Sequence, residues 1–203
     1  DVVLYGGDTV GHHDFTQSTS SNIALLQTMS GLFRAALPNT TVLMNQGNHD
    51  TYPIDQTPPW NRETISRVLR DAWTTTLVDG NTSSLSQGYY SWKSSTSPLR
   101  VVSLNSLVYD SHNYFHWKDV IQAQQTWFQK YLKNLQQAGE YAFLLGHIPP
   151  GGGESTQEYN QWMLNTLEQY STVVKLSVFG HSHIDQLYLY PKTMAPPALV
   201  SLS

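Results

Sequence analysis

Cysteine is absent from the 203 residues, which excludes disulfides and thiolate metal sites within this stretch. Charge is sparse too: 13% of residues are Asp, Glu, Lys or Arg, and the formal net charge is −4. With 11 Lys and Arg in total no basic stripe can form, so no nucleic-acid-binding surface is expected. No apolar run approaches the roughly 20 residues of a membrane-spanning helix, and neither an internal repeat nor a low-complexity tract is visible. What is present is a globular composition, 39% hydrophobic and 12% aromatic, of a length that fits one domain over residues 1–203. Abundant Ser and Thr with scarce Lys lean towards a secreted or lysosomal protein. Asn39-Thr40-Thr41 and Asn81-Thr82-Ser83 have the form of glycosylation acceptors, at Asn39 and Asn81.

Strand-like runs alternate with helix-like ones. Helical spacing of Ile23, Leu26, Met29, Leu32, Phe33 and Ala36 predicts a helix over 22–37, stopped by Pro38. Similar patterns predict helices over 61–77, over 120–138 with Gly139 as the stop, and over 157–170. Apolar runs predict strands at 2–5, 41–44, 89–93, 99–105, 141–145, 173–179, 185–190 and 198–202, with a hairpin turn at 94–98. The alternation predicts an α/β fold with mixed sheets, because hairpins and crossovers both occur. Two long loops, 51–60 and 106–118, are candidates for function.

Four of the strand-like runs end in glycine followed by metal-ligand residue types. They are Gly7-Asp8, Gly47-Asn48-His49-Asp50, Gly146-His147 and Gly180-His181-Ser182-His183. Buried strands that deliver Asp, Asn and His to their terminal loops build a shared site. Imidazole, carboxylate and amide oxygen hold Zn, Mn or Fe when no thiolate is present. An aspartate can bridge two cations roughly 4 Å apart, and a water shared between them becomes a nucleophile near neutral pH. Asp8 is the natural bridge, with Asn48, His147, His181 and His183 as terminal ligands.

The series GGD, GNHD, GH and GHSH, in this order, resembles the calcineurin-like metallophosphoesterases. Gly146-His147-Ile148-Pro149-Pro150-Gly151, Ser103-Leu104-Asn105-Ser106-Leu107, and Gly47 to Asp50 followed by Tyr52-Pro53 and Pro58-Pro59 resemble the acid sphingomyelinase branch more narrowly. The resemblance covers nearly the whole chain. It implies a sandwich of two mixed β-sheets flanked by helices, and two divalent metal ions, most readily Zn. It implies hydrolysis of a phosphoric diester by a metal-bridging hydroxide. Asp8 then matches the bridging ligand, Asn48, His147 and His181 the second-metal ligands, and His183 a first-metal ligand. His49 matches the histidine that protonates the leaving oxygen. His12, four residues after the bridge, matches a further catalytic histidine, with His13 its rival on the same loop.

The resemblance departs at one point. The family's opening Asp-x-His strand, which supplies two more first-metal ligands, is not in this sequence; the expectation is a piece of a longer protein, incomplete at both ends, with that strand upstream of Asp1. Gly11 stands where purple acid phosphatases carry a tyrosine ligand, and Gly11-His12-His13-Asp14 where serine/threonine phosphatases carry arginines. The alternatives are an endopolyphosphatase-like or nucleotide-hydrolysing member of the same fold, or a catalytically incomplete metal-binding domain. Tyr52, Trp60, Tyr114, Phe115 and Trp117 lie on the long loops, where aromatic rings could bind a lipid, a choline head or a base. Tyr52 and Tyr114, with His13, are the weakest site assignments, and His112 and His116 read as surface residues. The partner implied is a phosphodiester substrate, a sphingolipid head group or a nucleotide, with access to a membrane surface left to other parts of the full protein.

Overall fold

The computed structural model describes residues 1–12, 16–58, 87–189 and 198–201. The helix predicted over 61–77, and His13, Trp60 and Asn81, lie outside them. Two sheets face one another. The smaller pairs β1 (Val2–Tyr5) with β2 (Thr41–Met44) in parallel. The larger is mixed and contains β3 (Tyr90–Lys93), β4 (Leu99–Ser103), β5 (Tyr141–Leu145), β6 (Val174–Phe179), β7 (Gln186–Leu189) and β8 (Ala198–Ser201). Its strand order is β3-β4-β5-β6-β8-β7. The 94–98 turn makes the predicted antiparallel hairpin of β3 and β4, whereas β4, β5, β6 and β8 run parallel.

Among the described residues, three long helices cover these sheets: α1 (Thr19–Ala36), α2 (Lys118–Ala138) and α3 (Gln157–Gln169). The first begins three residues before its predicted start at Asn22. Ser18 and Ser21 form a reciprocal capping box, each side chain accepting from the other's backbone N–H. Gly139 ends α2 in the left-handed conformation, at φ 67°, and Thr156 caps α3 by accepting from the Tyr159 N–H.

Alternation along β1 and β2 sends each face to a different partner. Val42 and Met44, with Val3 and Tyr5, pack against Leu26, Ile23 and Phe33 of α1. Leu43 and Leu4 turn the other way, onto Tyr90, Trp92, Val101 and Leu145 of the larger sheet. The outer face of that sheet packs on α2 and α3 through Val102, Leu144, Phe128, Leu132, Tyr159 and Met163. Polar contacts fix the two sheets to one another. Buried Asn45 donates to Ser103 Oγ at 2.7 Å and to the Leu104 carbonyl at 2.8 Å, and the Tyr90 hydroxyl donates to the Met44 carbonyl at 2.6 Å. The C-terminal ends of β1, β2, β5 and β6 therefore open onto common ground, the usual place for a site in parallel sheets.

Candidate metal centre

Two of the ligand-bearing loops turn through left-handed backbone. Gly7 (φ 97°) and Asp8 (φ 53°) are both left-handed, as are His181 (φ 74°) and His183 (φ 54°). Left-handed backbone at three non-glycine residues costs of order 1–3 kcal/mol each, and it lets side chains two apart in the Gly180-His181-Ser182-His183 loop approach one site. At Gly47 no side chain fits: a Cβ there would lie 2.1 Å from Asp8 Oδ1 and 2.2 Å from the Asp8 nitrogen. The two loops are thus in backbone contact.

The loop bearing Asp8 is gripped by Asp50, the last residue of the GNHD segment. Asp50 is wholly buried and accepts backbone N–H bonds from Gly47 at 2.8 Å, Asp8 at 3.1 Å and Val10 at 3.2 Å. Burial pushes its carboxyl up to about 6, against the pull of those N–H groups. Asp8 in turn accepts from the His49 N–H at 2.9 Å. From the start of α1, buried Asn22 donates to the carbonyls of His49 and Thr51. Asp50 and Asn22 are the organisers that sequence reasoning passed over.

Four ligand-type side chains converge. His147 Nε2 lies 2.8 Å from Asn48 Oδ1 and 3.2 Å from Asp8 Oδ2, and His181 Nδ1 lies 3.1 Å from Asn48 Oδ1. Asp8, His147 and His181 present ligand atoms all within 4.8 Å of one another. Each orientation is set from behind. His147 Nδ1 donates to the Gly6 carbonyl at 2.7 Å, and Ser106 Oγ accepts from the backbone N–H groups of His147 and Ile148. Asn48 donates through Nδ2 to Asp55 Oδ1 at 2.8 Å, which turns its oxygen towards the imidazoles. Glu154, from the loop after β5, makes an ion-pair contact with His181 Nε2 that lacks hydrogen-bond alignment.

These residues fit a divalent cation. Both ring nitrogens of buried His147 face oxygens that can only accept: the Gly6 carbonyl on one side, the Asp8 carboxylate and Asn48 carbonyl on the other. The ring must then carry two protons, or one proton and a cation. Burial opposes the charged imidazole, but the Asp8 hydrogen bond and charge prevail and the His147 pKa is raised. Asp8 moves the opposite way: burial pushes it up, yet His147 and the His49 N–H hold its carboxyl below the ordinary range.

A second histidine group adjoins the first. The ring of His12 lies over that of His49, centroids 3.9 Å apart, and meets His183 edge-on at 5.1 Å. His49 is 9% exposed, whereas His12 and His183 are exposed. His183 joins the site through His12 and lies outside the Asp8–His147–His181 cluster. Tyr52 and Tyr114 stand at the surface, 38% and 88% exposed, and Asn39 is exposed in the turn between α1 and β2.

Several known proteins are similar to this chain along most of its length. The human cyclic GMP-AMP phosphodiesterase SMPDL3A is 29% identical over 206 positions, covering 96% of this chain and 45% of the relative. A sphingomyelinase phosphodiesterase C of Dictyostelium discoideum is 26% identical over 94% of this chain and 44% of its own length. The mouse acid sphingomyelinase-like phosphodiesterase 3b is 27% identical over 97% and 46%. The chain thus spans less than half the length of these relatives. Among solved structures, a dimetal phosphatase from Danio rerio superposes with a TM-score of 0.64 at 15% identity, over 98% of this chain and 71% of that one, which shows a common fold. The calcineurin-like phosphoesterase profile matches residues 1–185, and the chain belongs to that family, with relatives of the acid sphingomyelinase-like kind.

Proposed function

We propose that this chain is the metal-binding catalytic part of a phosphoric diester hydrolase of the acid sphingomyelinase type. The observation that carries this reading is the convergence of Asp8, Asn48, His147 and His181, with the rings of His49, His12 and His183 in successive contact beside them. Asp8 would bridge two divalent cations, Asn48, His147 and His181 would complete the second position, and His183 would serve the first. The all N/O donor set, with three imidazoles, favours Zn. When bound, the cations neutralise phosphoryl charge and acidify water to near-neutral pKa.

The chain's own residues do the rest. Asp50 holds the Asp8 loop against Gly47, and Asp55 aims the Asn48 oxygen. His49, nearly buried beneath His12, donates its ring proton to the departing ester oxygen, a contribution of about 10²–10⁴-fold. His12, exposed over the same spot, contacts a phosphoryl oxygen or supports that proton. Tyr52 and Tyr114 offer rings to the alcohol half of the substrate.

The diester is a sphingolipid head group or a nucleotide, since the relatives include proteins named for sphingomyelin and for cyclic GMP-AMP. Full-length protein assayed against sphingomyelin vesicles and cyclic dinucleotides, with and without chelator, decides between them. Chelator-sensitive turnover of either supports the assignment; turnover of inorganic polyphosphate alone would move the protein to the endopolyphosphatase-like alternative. A secreted or lysosomal location, with a glycan on exposed Asn39, belongs to the same reading. A glycosidase-sensitive mass that Asn39→Gln removes would support it, and a mass unchanged by both treatments would contradict it.

A further inference from the structure

Where the 51–58 and 105–117 loops meet, a second group of ligand-type residues gathers apart from the metal centre. Asp55, Asp110 and His112 each bring a ligand atom within 4.8 Å of the other two. Asp110 Oδ1 and His112 Nδ1 are hydrogen-bonded at 3.1 Å, a separation also close to the roughly 3.4 Å between two ligands placed about 2.1 Å from one tetrahedral ion. The decisive atom is Asp110 Oδ2. The residue is fully buried, and this oxygen has no hydrogen-bond partner among the described residues. A buried carboxylate oxygen without a donor is costly, and a second carboxylate nearby adds to the cost. Burial first, and the Asp55 charge with it, push the Asp110 carboxyl up.

We propose that Asp55, Asp110 and His112 bind a third divalent cation of the Zn or Mn class, separate from the metal centre. Two carboxylate oxygens and an imidazole are a donor set for such an ion, and exposed His112 leaves the remaining positions to water. The cation would act on the centre through position alone. Asp55 is the residue that accepts from the Asn48 amide, and its backbone N–H donates to the Asn48 carbonyl at 3.2 Å. Asp110 lies where three loops join. It bridges to Ser155, and beside it Gln56 donates to the His112 carbonyl and accepts from the Tyr114 N–H. An ion here ties the loop that aims Asn48 to the loop that carries Glu154.

The test is metal content after equilibrium dialysis of full-length protein against Zn²⁺, read for wild type, Asp110→Asn and His112→Ala. His112 is a surface side chain, 59% exposed, so its variant decides if Asp110→Asn does not fold. The expected result is one equivalent fewer in each folded variant, with unchanged circular dichroism. Wild-type metal content in folded His112→Ala would overturn the proposal. Loss at the Asp8 centre is distinguishable, because His147→Ala must remove metal while leaving the equivalent held by Asp110.

Discussion

At the scale of single residues, the site divides into groups that face the reaction and groups that hold them. His49→Ala in full-length protein should lower kcat by about 10²–10⁴-fold and leave metal content unchanged, because the proposed ligands lie on other side chains. Metal analysis alongside steady-state kinetics checks this; a drop in metal content would make His49 a ligand. Asp50 is different in kind. One carboxylate satisfies three backbone donors, and in Asp50→Asn an NH₂ must face at least one of them. A buried donor left without an acceptor costs about 1–3 kcal/mol, so the variant should lose stability of that order in chemical denaturation. It should also retain less metal, since the loop it grips carries Asp8. Unchanged denaturation midpoint and metal content would mean that the Asp8 loop holds itself.

At the scale of elements, the site depends on how closely the ends of strands approach. A Cβ on Gly146 would meet Phe179 of β6 at 2.5 Å. Gly146→Ala must therefore push the end of β5 away from β6, at a typical overpacking cost of about 1–3 kcal/mol, and carry His147 with it. Thermal denaturation and Zn²⁺ affinity should fall together; an unmoved affinity would show that the Ser106 hydroxyl and Gly6 carbonyl fix His147 independently of the strand. The four site-bearing strands were legible because their apolar runs lead into glycine and a polar residue, and the helix over 118–138 because its apolar spacing and Gly139 agree. The start of α1 was not, because its cap is Ser18 paired with Ser21, and two serines in a serine-rich stretch carry little contrast. Nor were Asp50, Asp55 and Glu154 read as parts of the site. A carboxylate that holds a loop and one that binds a metal look alike in sequence, and Glu154 reaches His181 from a loop 27 residues away that only the fold brings near.

At the scale of the whole molecule, two sheets packed face to face place four loop segments, far apart in the chain, on one side of the sandwich. His12 comes to the site only there, where its ring meets that of His49. The resemblance assigned five ligands residue by residue; the structure brings Asp8, Asn48, His147 and His181 together and leaves His183 outside that cluster. Bound cations stabilise the native state by mass action, about 2.7 kcal/mol at 100 times the dissociation constant. Chelation should accordingly lower the melting temperature of wild type more than that of Asp8→Asn, which differential scanning calorimetry can read. Equal shifts would place the stabilising metal elsewhere. The most direct test combines metal content and phosphodiesterase turnover in full-length wild type and Asp8→Asn, before and after chelation and Zn²⁺ reconstitution. Wild type should lose activity on chelation and regain it with Zn²⁺, and folded Asp8→Asn should lack both activity and the metal at this centre; turnover that survives chelation, or full metal content in Asp8→Asn, would contradict the account.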